Sequence, residues 1–68
     1  MDTILILKSE TYAYKGKKLL SRMRISARII KTVDENNGCV FGITVKKDDI
    51  FRVIQIFRNN GIDYKLKI

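Results

Sequence analysis

Histidine, proline and tryptophan are missing from this sequence, and cysteine occurs once. Without histidine, and with a single thiol, neither a Cys/His zinc site nor an internal disulfide framework is available, and no imidazole can serve as a general acid or base. We therefore expect no metal or cofactor and no turnover enzyme. The absence of proline agrees with one continuous compact unit over residues 1–68 rather than a jointed chain. Long apolar runs are missing too. The longest is Ile4–Leu7, too short for a signal peptide or a membrane span, which points to a soluble cytoplasmic protein with a reduced thiol and no membrane partner.

Acidic residues are scarce. Seven Asp and Glu face 14 Lys and Arg, a net charge of +7, and residues 1–34 carry eight of the basic residues against three acidic ones. Such a balance suits an anionic partner, either nucleic acid or an acidic protein surface, or else a solvated basic surface. With 68 residues the core is small, so association with a second copy is an open route to stability.

What is present reads as six elements. Ile4–Leu5–Ile6–Leu7 followed by Lys8 is a strand apolar on both faces, hence central in a sheet. Ser9 offers an N-cap to a helix over 10–23 whose apolar stripe is Tyr12, Gly16, Leu19, Leu20 and Met23, with Lys15, Lys18 and Arg22 on an exposed basic face. Ala27–Ile30 is a second strand, and 31–38 a polar, irregular connection. Cys39, Phe41, Ile43 and Val45 alternate along a third strand to Lys46. Asp48 or Asp49 caps a second helix with the stripe Ile50, Val53, Ile54 and Phe57. Phe51 lies on its flank, Ile56 points away, and Asn59–Asn60–Gly61 stops it. Ile62, Tyr64, Leu66 and Ile68 alternate with Asp63, Lys65 and Lys67 in a last strand. The order βαββαβ is the split arrangement of a ferredoxin-like α+β sandwich, a four-stranded antiparallel sheet with both helices on one face. Phe41, Ile43, Val53, Ile54 and Phe57 should share its core.

In that fold the third strand runs antiparallel to the first, which brings Cys39 toward Lys8, Ser9 and the start of the first helix. Cationic neighbours and unpaired helix N–H groups there would favour a thiolate, with Lys8 and Ser9 as the anion-stabilising residues and Lys31 across the loop as a further cation. The plainer reading is that Cys39 is a small buried hydrophobe. Its place directly after Asn36–Asn37–Gly38, at a strand end, speaks against that.

On these residues the chain resembles a small bacterial family described as selenium/sulfur carrier-like proteins, otherwise labelled a domain of unknown function. The resemblance runs nearly the full length, through Leu7–Lys8–Ser9–Glu10–Thr11 with Ala13, Gly38–Cys39 with Gly42–Ile43, and Asn60–Gly61–Ile62. The family pattern has glycine directly after the cysteine, where this chain has Val40. The resemblance implies a carrier that holds sulfur or selenium on Cys39 as a persulfide-type adduct, for passage between donor and acceptor proteins. Lys15, Lys18 and Arg22 would then dock a partner. Two other readings compete. One is an interaction module without chemistry, a homodimer formed through the first strand and Val40. The other is weak, salt-sensitive nucleic-acid binding, since the sheet face bearing Val40, Gly42 and Thr44 has no aromatic on which a base could stack.

Overall fold

The computed structural model describes residues 2–67. Strand β1 (Asp2–Ile6), helix α1 (Glu10–Arg22), strands β2 (Ala27–Asp34) and β3 (Gly38–Lys46), helix α2 (Ile50–Asn59) and strand β4 (Lys65–Lys67) follow in order, with a 3-10 turn over Lys47–Asp49 leading into α2. The sheet order is β2-β3-β1-β4 and every pairing is antiparallel. This is the ferredoxin-like α+β fold, and α1 and α2 share one core against one face of the sheet.

That core holds Leu5, Leu7, Ala13, Leu20, Ile25, Ile43, Val45, Val53, Phe57 and Ile62. Helix α1 buries Ala13, Gly16 and Leu20, so its apolar stripe is rotated from the expected one, and Tyr12 and Met23 stay exposed. Small residues explain the rotation. A Cβ on Gly16 would stand 2.9 Å from Ile43 Cδ1 and 3.0 Å from Phe57 Cζ, so the helix lies closer to the sheet than a larger side chain would allow. In α2, Val53 and Phe57 are buried, Ile56 rather than Ile54 packs against the core, and Phe51 is 83% exposed. Asp49 occupies the N-cap position of α2, but no side chain caps that end.

Both helices end in the same way. Ile25 N–H donates to Leu20 O and Ile62 N–H donates to Phe57 O, each at 2.9 Å, while the preceding Arg24 and Gly61 have φ of 60° and 68°. This is the Schellman closure, in which the residue after the cap turns left-handed and a following apolar residue packs back on the helix. Gly61 takes that conformation freely; Arg24 takes it at a cost of about 1 kcal/mol.

The second and third strands run further than their polar residues suggest. They pair from Ala27↔Val45 to Asp34↔Gly38, so the connection expected over 31–38 shrinks to three residues. Asn37 N–H donates to Asp34 O at 3.3 Å and Gly38 follows with φ 69°, a turn closed by a left-handed residue. Strand β1, by contrast, ends at Ile6, and Leu7 adds one further bond to Phe41 O at 3.0 Å. Beyond that point β2 and β3 form a two-stranded ribbon, the form of sheet that twists most. The ribbon curls across the face without helices until Asp34 meets Lys65 of β4, although β2 and β4 are opposite edges of the sheet. Ile6 is left 8% exposed beneath it. Strand β4 is shorter than the alternation from Ile62 suggests: Ile62 and Tyr64 belong to the approach, and Ile68 lies outside the described residues.

Candidate functional site around Cys39

Cys39 is a free, exposed thiol on the second rung of β3. Its cross-strand partner is Val33, which is 63% exposed, and the next rung on the same face pairs Lys31 with Phe41. Alternation places these four side chains on the helix-bearing side of the sheet, on the part of the ribbon that extends past β1. Phe41 packs against the edge of the core, and the Lys31 ammonium lies over its ring, 5.5 Å from the centroid. Lysine over an aromatic face is a favourable cation–π contact. The thiol is thus bordered by an exposed valine and by a cation resting on an aromatic ring.

Lys8 and Ser9 are engaged elsewhere. The Lys8 ammonium stands 2.9 Å from Asp63 Oδ2, and hydrogen bonding to that carboxylate, with its charge, raises the Lys8 pKa above the ordinary lysine value. Ser9 Oγ accepts the Tyr12 N–H at 3.3 Å, and Ser9 O accepts the Ala13 N–H at 3.0 Å. Ser9 is therefore the N-cap of α1, as its position suggests: its hydroxyl satisfies one otherwise unpaired donor of the first turn, and its carbonyl starts the regular helical ladder. Among the described hydrogen bonds and ion pairs none joins Lys8 or Ser9 to Cys39. The cation on the thiol's own face is Lys31.

A second constellation lies on the other side of the ribbon. Asp34, 8% exposed, accepts from Lys65 Nζ at 3.2 Å and from Asn37 Nδ2 at 2.7 Å. The Lys65 hydrogen bond, followed by that from Asn37, holds its carboxyl below the usual carboxylate range. Lys67 Nζ donates to Thr32 Oγ1 at 2.6 Å and to Val33 O at 3.1 Å. Lys65 and Lys67 read in sequence as the wet face of the last strand, yet both are clasps that hold the ribbon over Ile6. Part of this was visible: Asp34 and Asn37 have the spacing of a local side-chain turn. The partnership with β4, like that of Lys8 with Asp63, joins distant parts of the chain and has no local signal. Cavities of about 270 and 240 Å3 flank the Asp34–Lys65 pair, and Ile6 lines both.

Lys15, Lys18 and Arg22 are exposed on α1 as their spacing requires. With Leu19 and Asn60 they border a groove of about 280 Å3. Among the described residues no cluster of His, Cys, Asp and Glu could hold a metal ion, and no helix is long and apolar enough to cross a membrane. No family model, curated protein or solved structure matches this chain.

Proposed function

We propose that the protein carries sulfur or selenium on Cys39 between partner proteins. The observation that carries this reading is the exposure of the thiol on a regular strand pair beside the ribbon's turn, since a buried structural cysteine would be inert. A donor protein would present a persulfide. The Cys39 thiolate attacks the outer sulfur, the donor's S–S bond breaks as the new one to Cys39 forms, and the donor leaves as a thiolate. The proton on the transferred sulfur travels with it, and no oxidant or reductant is consumed. Transfer to an acceptor thiolate reverses these steps, and a selenium atom in the outer position follows the same course. Lys31, the further cation that the sequence places across the loop, supplies positive charge on this face, and Val33 and Phe41 give a partner apolar contact around the sulfur.

The competing readings draw less support. Base stacking on the sheet would need an exposed aromatic on the face bearing Val40, Gly42 and Thr44, and the ribbon lies over that face. Pairing with a second copy through β1 would need its second apolar side to be free, and Ile6 on that side is already covered within one chain.

The test is intact-mass measurement after exposure to inorganic polysulfide, on the wild type and on Cys39→Ser, Lys31→Ala and Lys8→Ala. We expect a reductant-reversible gain of one or more sulfur atoms that is lost in Cys39→Ser, slowed by several-fold in Lys31→Ala, and unchanged in Lys8→Ala. Equal gain in Cys39→Ser, or alkylation of the wild-type thiol only after unfolding, defeats the carrier reading.

A further inference from the structure

The groove on the outer side of α1 is lined by three cations and no acidic side chain. Lys15, Lys18, Leu19 and Arg22 stand at i, i+3, i+4 and i+7, so they form one row along the helix, and Asn60 at the end of α2 closes the other side. The two ion pairs among the described residues use Lys8 and Lys65. None involves the three cations of this row. A fourth cation, Lys17, adds to the field of the same helix, whose one acidic residue is Glu10 in the first turn. Leu19, half-buried and packed on the core, gives the groove an apolar floor, and Lys15 extends over the Tyr12 ring at 6.0 Å from its centroid.

We propose that this groove docks an acidic amphipathic helix of a partner protein, which seats an apolar side chain on Leu19 between carboxylates that pair with Lys15, Lys18 and Arg22. The spacing favours that occupant. The row spans about 10 Å at 1.5 Å of rise per residue, and a facing helix with acidic residues at the same intervals offers one carboxylate to each cation. Asn60 points the same way. Its Nδ2 is given to Ile56 O at 2.8 Å, which leaves Oδ1 as an acceptor for a hydroxyl or amide of the partner. A phosphodiester strand offers that carbonyl no donor from its phosphates, and it has no apolar group on its charged edge to place on Leu19. The proposal extends the carrier reading by giving the donor or acceptor a place to bind, since α1 begins at the end of the sheet that carries Cys39; the complementarity of the groove stands independently of the thiol.

The test is a nuclear magnetic resonance titration of the isotopically labelled full chain with three probes. These are a synthetic peptide of Glu, Asp, Leu and Ala patterned as an amphipathic helix, a scrambled peptide of the same composition, and a single-stranded DNA oligomer of equal charge. We expect the patterned peptide to shift amides of the Lys15–Arg22 turns and Asn60, and to bind at least about threefold more tightly than the scrambled one. Lys15→Glu combined with Lys18→Glu and Arg22→Glu should weaken it by about tenfold or more, with the rest of the spectrum confirming that the variant is folded. The single change Arg22→Ala should weaken it by a smaller factor in the same direction. Equal affinity for the scrambled peptide or for DNA, or shifts centred on other basic residues such as Lys46 and Lys47, overturns the proposal. Cys39→Ser should bind the patterned peptide as the wild type does, so that a failed groove and a failed thiol chemistry are told apart.

Discussion

The two faces of the sheet are covered by different means. On one, α1 and α2 lay contiguous apolar side chains over Leu5, Ile43 and Val45, and Leu20, Val53 and Phe57 are fully buried there. On the other, a two-stranded ribbon leans over Ile6 and is held by side-chain contacts from Lys65 and Lys67. Gly42 allows this second packing. A Cβ there would lie 3.1 Å from Leu5 O and 3.3 Å from Ile4 Cγ2, so its absence lets Ile4 and Ile30 settle over the middle of the sheet. The first face owes its cohesion to buried area, which is non-directional and collective. The second rests on a few directional contacts near water, which individually contribute little. The helix-covered face should therefore set the stability of the whole chain, and the ribbon should open in advance of it.

Three measurements would break or sharpen that contrast. Phe57→Ala removes the largest fully buried side chain and should cost about 3–5 kcal/mol, a large fraction of the stability of so small a domain. Urea unfolding should show the whole cooperative transition moving or disappearing. Ile6→Ala should cost less, about 2 kcal/mol, because the ribbon can settle into the space. Amide exchange at Thr32, Val33 and Cys39 should accelerate while that at Ile43 and Val45 changes little. If both sets accelerate together, the two faces are one cooperative unit and the contrast fails.

The smallest effect comes from acid. The Asp34 carboxyl titrates lower in the folded chain than in the unfolded one, where an aspartate has a pKa of about 3.9. Its contribution is thus complete above about pH 4 and is lost as pH falls through the folded value. Exchange at the ribbon should quicken selectively over that acidic range. Asp34→Asn should abolish the pH dependence while leaving the helices unaffected. The Lys8–Asp63 pair has the opposite sign: with the lysine pKa raised, its contribution holds below about pH 10 and is lost as pH rises through the folded value.

The helix-covered face was largely legible in the sequence. Val53 and Phe57 stand one turn apart, Cys39 to Val45 alternate, and Asn60–Gly61 marks a stop, so the element order and most of the core follow from local periodicity. Where the reading erred, a tertiary cause decided. Periodicity weighs Tyr12 and Met23 above Ala13 as core, yet the close approach at Gly16 needs small neighbours. Lys31 and Asp34 read as connection because they are polar, but Lys31 rests on Phe41 and Asp34 is matched by a lysine from the far edge of the sheet. For the candidate site, the position and exposure of Cys39 beside its turn were readable. Of the cations assigned to it, Lys31 shares its face, whereas the engagement of Lys8 was hidden, because Asp63 lies near the other end of the chain and no pattern around Lys8 reveals it.

The clasp between β2 and β4 also bears on how this chain avoids its own kind. An open sheet carries two lateral rows of backbone donors and acceptors, each a template onto which another extended chain can add. Here the last rungs of both edges are turned toward each other, Val33 O is occupied by Lys67, and among the described residues β4 covers Lys65–Lys67, with a lysine at each end of that span. A chain approaching the ribbon end of β2 meets the ammonium groups of Lys65 and Lys67 there. The longer template that remains is Ala27–Lys31, where Arg28 and Lys31 set one positive charge on each face of the edge. Crowded solutions of this small, basic protein should therefore stay clear of sheet-to-sheet aggregates as long as the two lysines of β4 keep their hold.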